Sequence, residues 1–229
     1  MVSAPRQTVR LLVVGKSGSG KTSLAKRIIR RMLQDRRCSR LIVINRKREL
    51  SEFCEASYRV SETGNAMAAL KRHRRVHFYI TGYDPRPFLD ELGAALMQLR
   101  GVLLVADEMH FFFPKGQLSK GLLEAITVGR DLGLNFIGIT QMLKNAQGAI
   151  DPVLRKQASH LIVFRMTDPS EVAEVAGHFD ELGPRVATLA RPDDGLPPEY
   201  GVKNLDTGQS GVVLRDPGDP RRQIWRPLS

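Results

Sequence analysis

The sequence predicts an α/β fold in which a mostly parallel sheet is flanked by helices. Short apolar runs alternate with amphipathic segments of helical length. The apolar fraction is 42% and the charged fraction 26%, ordinary for a globular chain. A glycine-rich turn joins the first apolar run to the first amphipathic segment. With 229 residues the chain is long enough to bury a full core as one somewhat generous domain.

In chain order, the expected strands are Val9 to Val14, Leu41 to Ile44, Val76 to Ile80, Val102 to Ala106, Leu134 to Thr140 and Leu161 to Phe164. Each is a short apolar run bounded by polar or turn residues. The expected helices are Lys21 to Asp35, Pro85 to Leu99, Leu118 to Asp131 and Pro169 to Gly177. The last carries its own start signal, with Asp168 as N-cap, Pro169 in the first turn and Glu171 three residues after the cap. Asp151-Pro152 opens a further short helix. From Pro192 Gly, Pro and Asp dominate, and apolar patches at Gly211 to Leu214 and Gln223 to Trp225 flank Asp216-Pro217-Gly218-Asp219. That pattern reads as a terminal β-hairpin. The chain therefore divides into a core, residues 1–191, and a Pro/Gly-rich tail, residues 192–229, with no internal repeat.

Gly15-Lys16-Ser17-Gly18-Ser19-Gly20-Lys21-Thr22 fits the pattern G-x-x-x-x-G-K-[ST] between a strand and a helix. Such a loop turns its backbone N–H groups inward onto phosphates, which glycines permit, and the helix N-terminus adds partial positive charge. Lys21 is placed to reach the β- and γ-phosphates of ATP, Thr22 to ligate Mg²⁺, and Ser23 to line the same site. A chance match to this pattern is rare, and the strand and helix around it make it rarer.

The run Val102 to Ala106 ends in Asp107-Glu108. Phosphoryl transfer needs a carboxylate at the metal, and hydrolysis needs one to orient or deprotonate water. Asp107 suits the first task and Glu108 the second. Acidic residues after a strand are common; the phosphate loop upstream is what gives this pair its meaning. Two further strands fit between the loop helix and Asp107. No Asn-Lys-x-Asp base-reading motif of GTPases occurs, and Leu118-Ser119-Lys120-Gly121 is a poor match to the ABC-type signature.

This spacing resembles the additional-strand, catalytic-glutamate branch of P-loop NTPases, with a RecA-like fold. Val128-Gly129-Arg130-Asp131-Leu132-Gly133, a strand ending in Thr140-Gln141, then Asp151-Pro152 and a return strand ending near Arg165, resemble the FtsK–HerA superfamily of DNA-pumping ATPases. The match runs in order from about Val9 to Gly177. It implies a homo-oligomer, a hexameric ring threading double-stranded DNA. Within it Gln141 would sense the γ-phosphate and Arg130 would be the arginine finger reaching a neighbour's ATP. Arg155 is a second interface candidate. The plainer readings are that Arg130 caps its helix, that Gln141 is a loop amide, and that Arg155 is solvated. The short form of the chain is most similar to the genome-packaging ATPases of tailless viruses with internal membranes. A capsid, portal or membrane protein of a virion would then be a partner. Repair or conjugation pumps, filamentous-phage assembly ATPases and small-molecule kinases are the alternatives.

A net charge of +11 favours a polyanionic partner, nucleic acid foremost. From Lys21 to Leu50 eleven basic residues face only two acids, Asp35 and Glu49, and Lys71-Arg72-His73-Arg74-Arg75 forms a second cluster. Either run serves DNA or is a solvated face. Lys115, Lys120 and Lys144 are the candidates for gripping the DNA backbone. Phe111-Phe112-Phe113 nearby packs between subunits or into the core. No run approaches the ~20 apolar residues of a spanning helix, the N-terminus lacks a signal-peptide core, and Cys38 and Cys54 lack metal or redox spacing. These features predict a cytoplasmic protein, virion-associated at the packaging vertex if the viral reading holds.

Overall fold

In the computed structural model, residues 8–60, 65–81, 84–113, 119–141, 152–177, 182–193 and 195–228 are described. Ten strands form one sheet. In chain order they are β1 (Arg10–Val14), β2 (Arg40–Asn45), β3 (Ala56–Val60), β4 (Arg75–Ile80), β5 (Val102–Asp107), β6 (Asn135–Thr140), β7 (His160–Phe164), β8 (Tyr200–Asn204), β9 (Ser210–Arg215) and β10 (Gln223–Leu228). The helices are α1 (Lys21–Gln34), α2 (Ala66–Arg72), α3 (Arg86–Leu96), α4 (Lys120–Val128), α5 (Pro152–Gln157) and α6 (Pro169–Ala176).

The order across the sheet is β10-β9-β8-β7-β1-β6-β5-β2-β4-β3. From β3 to β7 every neighbouring pair is parallel, whereas β8, β9 and β10 pair antiparallel. The central strands read as continuous apolar runs because helices cover both faces. Along β1, Leu12 and Val14 join one core and Leu11 and Val13 the other. The first core contains Leu70 of α2, Phe88 and Leu92 of α3, and Leu122 and Ile126 of α4. The second is covered by α1 through Leu24, Ala25, Ile29 and Met32. Each large apolar side chain so buried is worth about 1.5–3 kcal/mol.

The expected mostly parallel sheet and terminal hairpin are present, with β9 and β10 registered Arg215 to Gln223 across the turn. Trp225 lies across Gly211, whose hypothetical Cβ would meet the indole Cζ2 at 2.2 Å. Trp225 remains 53% exposed and so closes no core of its own. Asp168 caps α6 as expected, its carboxylate accepting from Ser170 N at 3.0 Å and Glu171 N at 3.3 Å.

Three elements were not legible as sequence. Edge strand β3 carries Ser57 and Arg59 and alternates in burial, so it shows no apolar run. Helix α2 has 7 residues, too few to display a helical period. Strand β8 contains Gly201, Lys203 and Asn204, yet it pairs with β7 in the register Phe164 to Tyr200. Through β8 the terminal hairpin becomes an extension of the central sheet rather than a separate ribbon. Two strands were expected between α1 and Asp107; there are three, β2, β3 and β4.

Candidate functional site

The parallel strands deliver their C-terminal ends to one edge of the sheet, where β1 runs into the glycine-rich loop. Gly18 and Gly20 have φ of 73° and 99°. A Cβ on Gly20 would lie 2.6 Å from Pro198 Cγ, so this position needs glycine for both conformation and space. No side chain caps α1 and its first turn holds no acid, which leaves its N–H groups for an external anion. Ser19 Oγ is buried and unpartnered beside them.

Lys21 is 8% exposed and donates to the Lys16 carbonyl at 2.7 Å. Burial pulls its ammonium down to about 8, against the opposing pull of Asp107. Across the loop, burial pushes the Asp107 carboxyl up to about 6 although it accepts the Glu108 N–H at 3.0 Å. In both groups desolvation outweighs the opposite charges nearby.

Glu108 follows in the left-handed region, at φ 55° and ψ 44°, a conformation that costs a non-glycine residue about 1–2 kcal/mol. The turn is reinforced by Phe111 N donating to Glu108 O at 2.9 Å. It swings the side chain over the loop, where Oε1 accepts from Lys47 Nζ at 2.8 Å and from Gln141 Nε2 at 3.4 Å. Gln141 follows β6, which stands between β1 and β5 in the sheet. The extra strand thus brings Gln141 between the phosphate loop and the carboxylates. His110 Nδ1 lies 3.3 Å from Thr140 Oγ1, tying the β5 and β6 ends together, and burial lowers its pKa.

These groups line a cavity of about 330 Å³ that includes Ser17 through Ser23, Asp107, Glu108 and Gln141. Gly15 and Lys16 sit outside the lining: Gly15 N donates to Thr140 O at 3.3 Å, and Lys16 Nζ approaches Thr167 Oγ1 at 3.1 Å. The cavity is also lined by Lys47, Glu49 and Pro192, none of which was singled out as a site residue in the sequence. Thr22 Oγ1 donates to Glu49 Oε2 at 3.4 Å. In the sequence Lys47 is one of a basic run and Glu49 one of the two acids within it, and nothing in their local pattern says which way the loop after β2 turns.

Arg130 is elsewhere. It precedes β6, at the opposite end of a six-residue strand from Gln141, or about 17 Å away along the sheet. Its guanidinium is half exposed and reaches Asp206 at 4.0 Å. It does not cap α4 at Ile126, whose carbonyl accepts from the buried Arg10. Arg155 is held by Glu174 at 2.7 Å. Lys120 is exposed at the start of α4, while Lys115 and Lys144 lie outside the described residues. Phe112 and Phe113 are buried in the core, and Phe111 is 43% exposed under the Arg46 guanidinium. Within the basic runs, Lys26, Arg31 and Arg75 pair with Glu52, Asp35 and Glu55.

A phosphate loop beside a buried carboxylate suits a nucleotide with a divalent cation. Among the described residues no group of three His, Cys, Asp or Glu side chains could hold a metal alone. A cation here would share its ligands with phosphate oxygens, as Mg²⁺ does. Among the same residues no helix is long and apolar enough to cross a membrane.

A family model described as an AAA domain matches residues 7–144. The fold is similar to that of the genome packaging NTPase B204 from Sulfolobus turreted icosahedral virus 2, solved with ATP-gammaS, at 21% identity and a TM-score of 0.70. That likeness covers 91% of this chain and 98% of the other. B204 of Sulfolobus Turreted Icosahedral Virus, described as a DNA-packaging ATPase, is similar at 18% identity and a TM-score of 0.64, covering 90% and 97% of the two chains. The pCW3 conjugation coupling protein TcpA is similar at 14% identity and 0.53, covering 87% of this chain and 58% of its own. At these identities the likeness is one of fold. No curated protein is similar enough in sequence to count as a relative.

Proposed function

This chain belongs to the AAA domain family of P-loop NTPases, and on that premise we propose that it hydrolyses ATP with Mg²⁺ to drive double-stranded DNA. The carrying observation is the convergence of the loop from Ser17 to Thr22, Asp107, Glu108 and Gln141 on one cavity. The phosphates would lie in the loop against the α1 N-terminus and Lys21. Thr22 and Asp107 would hold Mg²⁺, which when bound neutralises charge on the β- and γ-phosphate oxygens. Glu108 accepts the proton of the attacking water, and Gln141, already hydrogen-bonded to it, holds the carboxylate toward the γ-phosphate.

Arg130 lies too far from its own cavity to serve it, and its exposure suits a role in a neighbour's site within a ring. The ring, its hexameric size, and the contacts of Lys115, Lys120 and Lys144 with DNA belong to the same proposal. Packaging of a viral genome is the form of it favoured by the likeness to B204 over nearly the whole of both chains. A capsid or portal partner and a place at the packaging vertex go with that form.

The test is steady-state ATP hydrolysis with and without double-stranded DNA, comparing the native chain with Glu108→Gln. The expected result is DNA-stimulated hydrolysis that falls by about 10²–10⁴-fold in the variant while ATP binding persists. Hydrolysis indifferent to DNA in the assembled protein would refute the coupling to DNA.

A further inference from the structure

Among the described residues two cations line the cavity, Lys21 and Lys47, against three carboxylates, Glu49, Asp107 and Glu108. Lys21 belongs to the phosphate loop. Lys47 arrives from the connection after β2 and has no part in the mechanism above. Its ammonium is 2.8 Å from Oε1 of Glu108, the carboxylate that takes a proton from water in that mechanism.

The inward course of Lys47 is built into its surroundings. Arg46 lies over the Phe111 ring with its guanidinium 4.6 Å from the centroid. Arg48 lies over Tyr79 at 5.7 Å. The two arginines are drawn onto aromatic faces, and the residue between them is turned into the site. The base of the connection is anchored at Asn45, whose buried Oδ1 lies 2.7 Å from His77 Nε2, with Ser57 Oγ 2.7 Å from the other ring nitrogen. The Lys47 side chain is 51% exposed and the Glu108 side chain 12%. Solvent at the half-exposed Lys47 end screens the pair, and holding the long side chain in one geometry costs it conformational entropy. A doubly charged terminal phosphate entering the same cavity is a stronger partner for a compact ammonium on a flexible stem.

We propose that Lys47 is a second phosphate-binding cation of this site, held on Glu108 until a nucleoside triphosphate draws it to the γ-phosphate and releases the Glu108 carboxylate for water. Lys47 then distinguishes triphosphate from diphosphate, since a diphosphate leaves the ammonium on Glu108. The inference rests on the ATPase reading above.

Lys47→Met keeps the stem and removes the charge; Lys47→Arg keeps the charge. Calorimetric affinities for ATP-gammaS and for ADP, each with Mg²⁺, are measured for the native chain and both variants, with urea midpoints as a check on folding. A charge-assisted contact to the γ-phosphate predicts that Lys47→Met weakens ATP-gammaS by about 10–100-fold, leaves ADP within about threefold, and is partly restored by Lys47→Arg. Equal weakening of both nucleotides, or no weakening of ATP-gammaS, would overturn the assignment. A native chain that binds neither nucleotide would instead overturn the ATPase reading itself.

Discussion

Replacing Lys21 by Met should stabilise the nucleotide-free protein while abolishing its nucleotide response. The buried ammonium of Lys21 is lowered from 10.5 to about 8. That gap makes the charged form in the fold about 3 kcal/mol less favourable at pH 7 than in the unfolded chain, an upper figure for an empty site. Met has a stem of similar length and no charge to desolvate, so a gain of about 1–3 kcal/mol in unfolding free energy is expected. The sign has a pH signature. Between pH 8 and 10.5 the unfolded chain binds more protons than the folded one, so the native protein gains stability as pH rises through that window. The variant lacks this gain, and the difference between the two should shrink to under about 1 kcal/mol by pH 10. Urea denaturation of both proteins at pH 7 and pH 10, with and without ATP-gammaS and Mg²⁺, checks both halves. A variant less stable than the native chain at pH 7, or a difference independent of pH, would refute the claim that burial disfavours the charged form of Lys21 in the empty site.

Gly20→Ala should destabilise by about 1–3 kcal/mol, because a Cβ at φ 99° would stand 2.6 Å from Pro198 Cγ; thermal unfolding shows it. Asp168→Ala removes the cap that accepts Ser170 N and Glu171 N, and its urea midpoint should correspond to a loss of about 1 kcal/mol. Phe112→Ala should cost about 3–5 kcal/mol by the same measurement, whereas Phe111→Ala, at a site 43% exposed, should cost under about 1 kcal/mol.

How much of this was legible before the fold was known differs between elements. The mostly parallel core, six of its seven strands and all but one of the described helices announce themselves, since apolar runs and helical periods are local. The strand β3 and the strand β8 do not, because an edge strand or a half-polar strand is specified by its neighbour across the hydrogen bonds. The same split runs through the cavity. The loop from Gly15 to Thr22 and the Asp107-Glu108 pair are contiguous in sequence, and their chemistry follows from residue type and spacing. Lys47 and Glu49 are drawn in by the packing of the connection after β2, with Arg46 and Arg48 held on Phe111 and Tyr79.

Sequence alone determined the phosphate loop, the carboxylates and the terminal hairpin, because each depends on residues near one another in the chain, and it determined the sheet to be parallel because apolar runs alternate with helical segments along the chain. Tertiary structure decided which charges enter the site and what state they are in. The buried ammonium of Lys21 at about 8 and the carboxyl of Asp107 at about 6 are products of desolvation, and desolvation is a property of everything packed around a group. It also placed Arg130 at the far end of β6 from its own cavity, since strand length and parallel direction together set that separation.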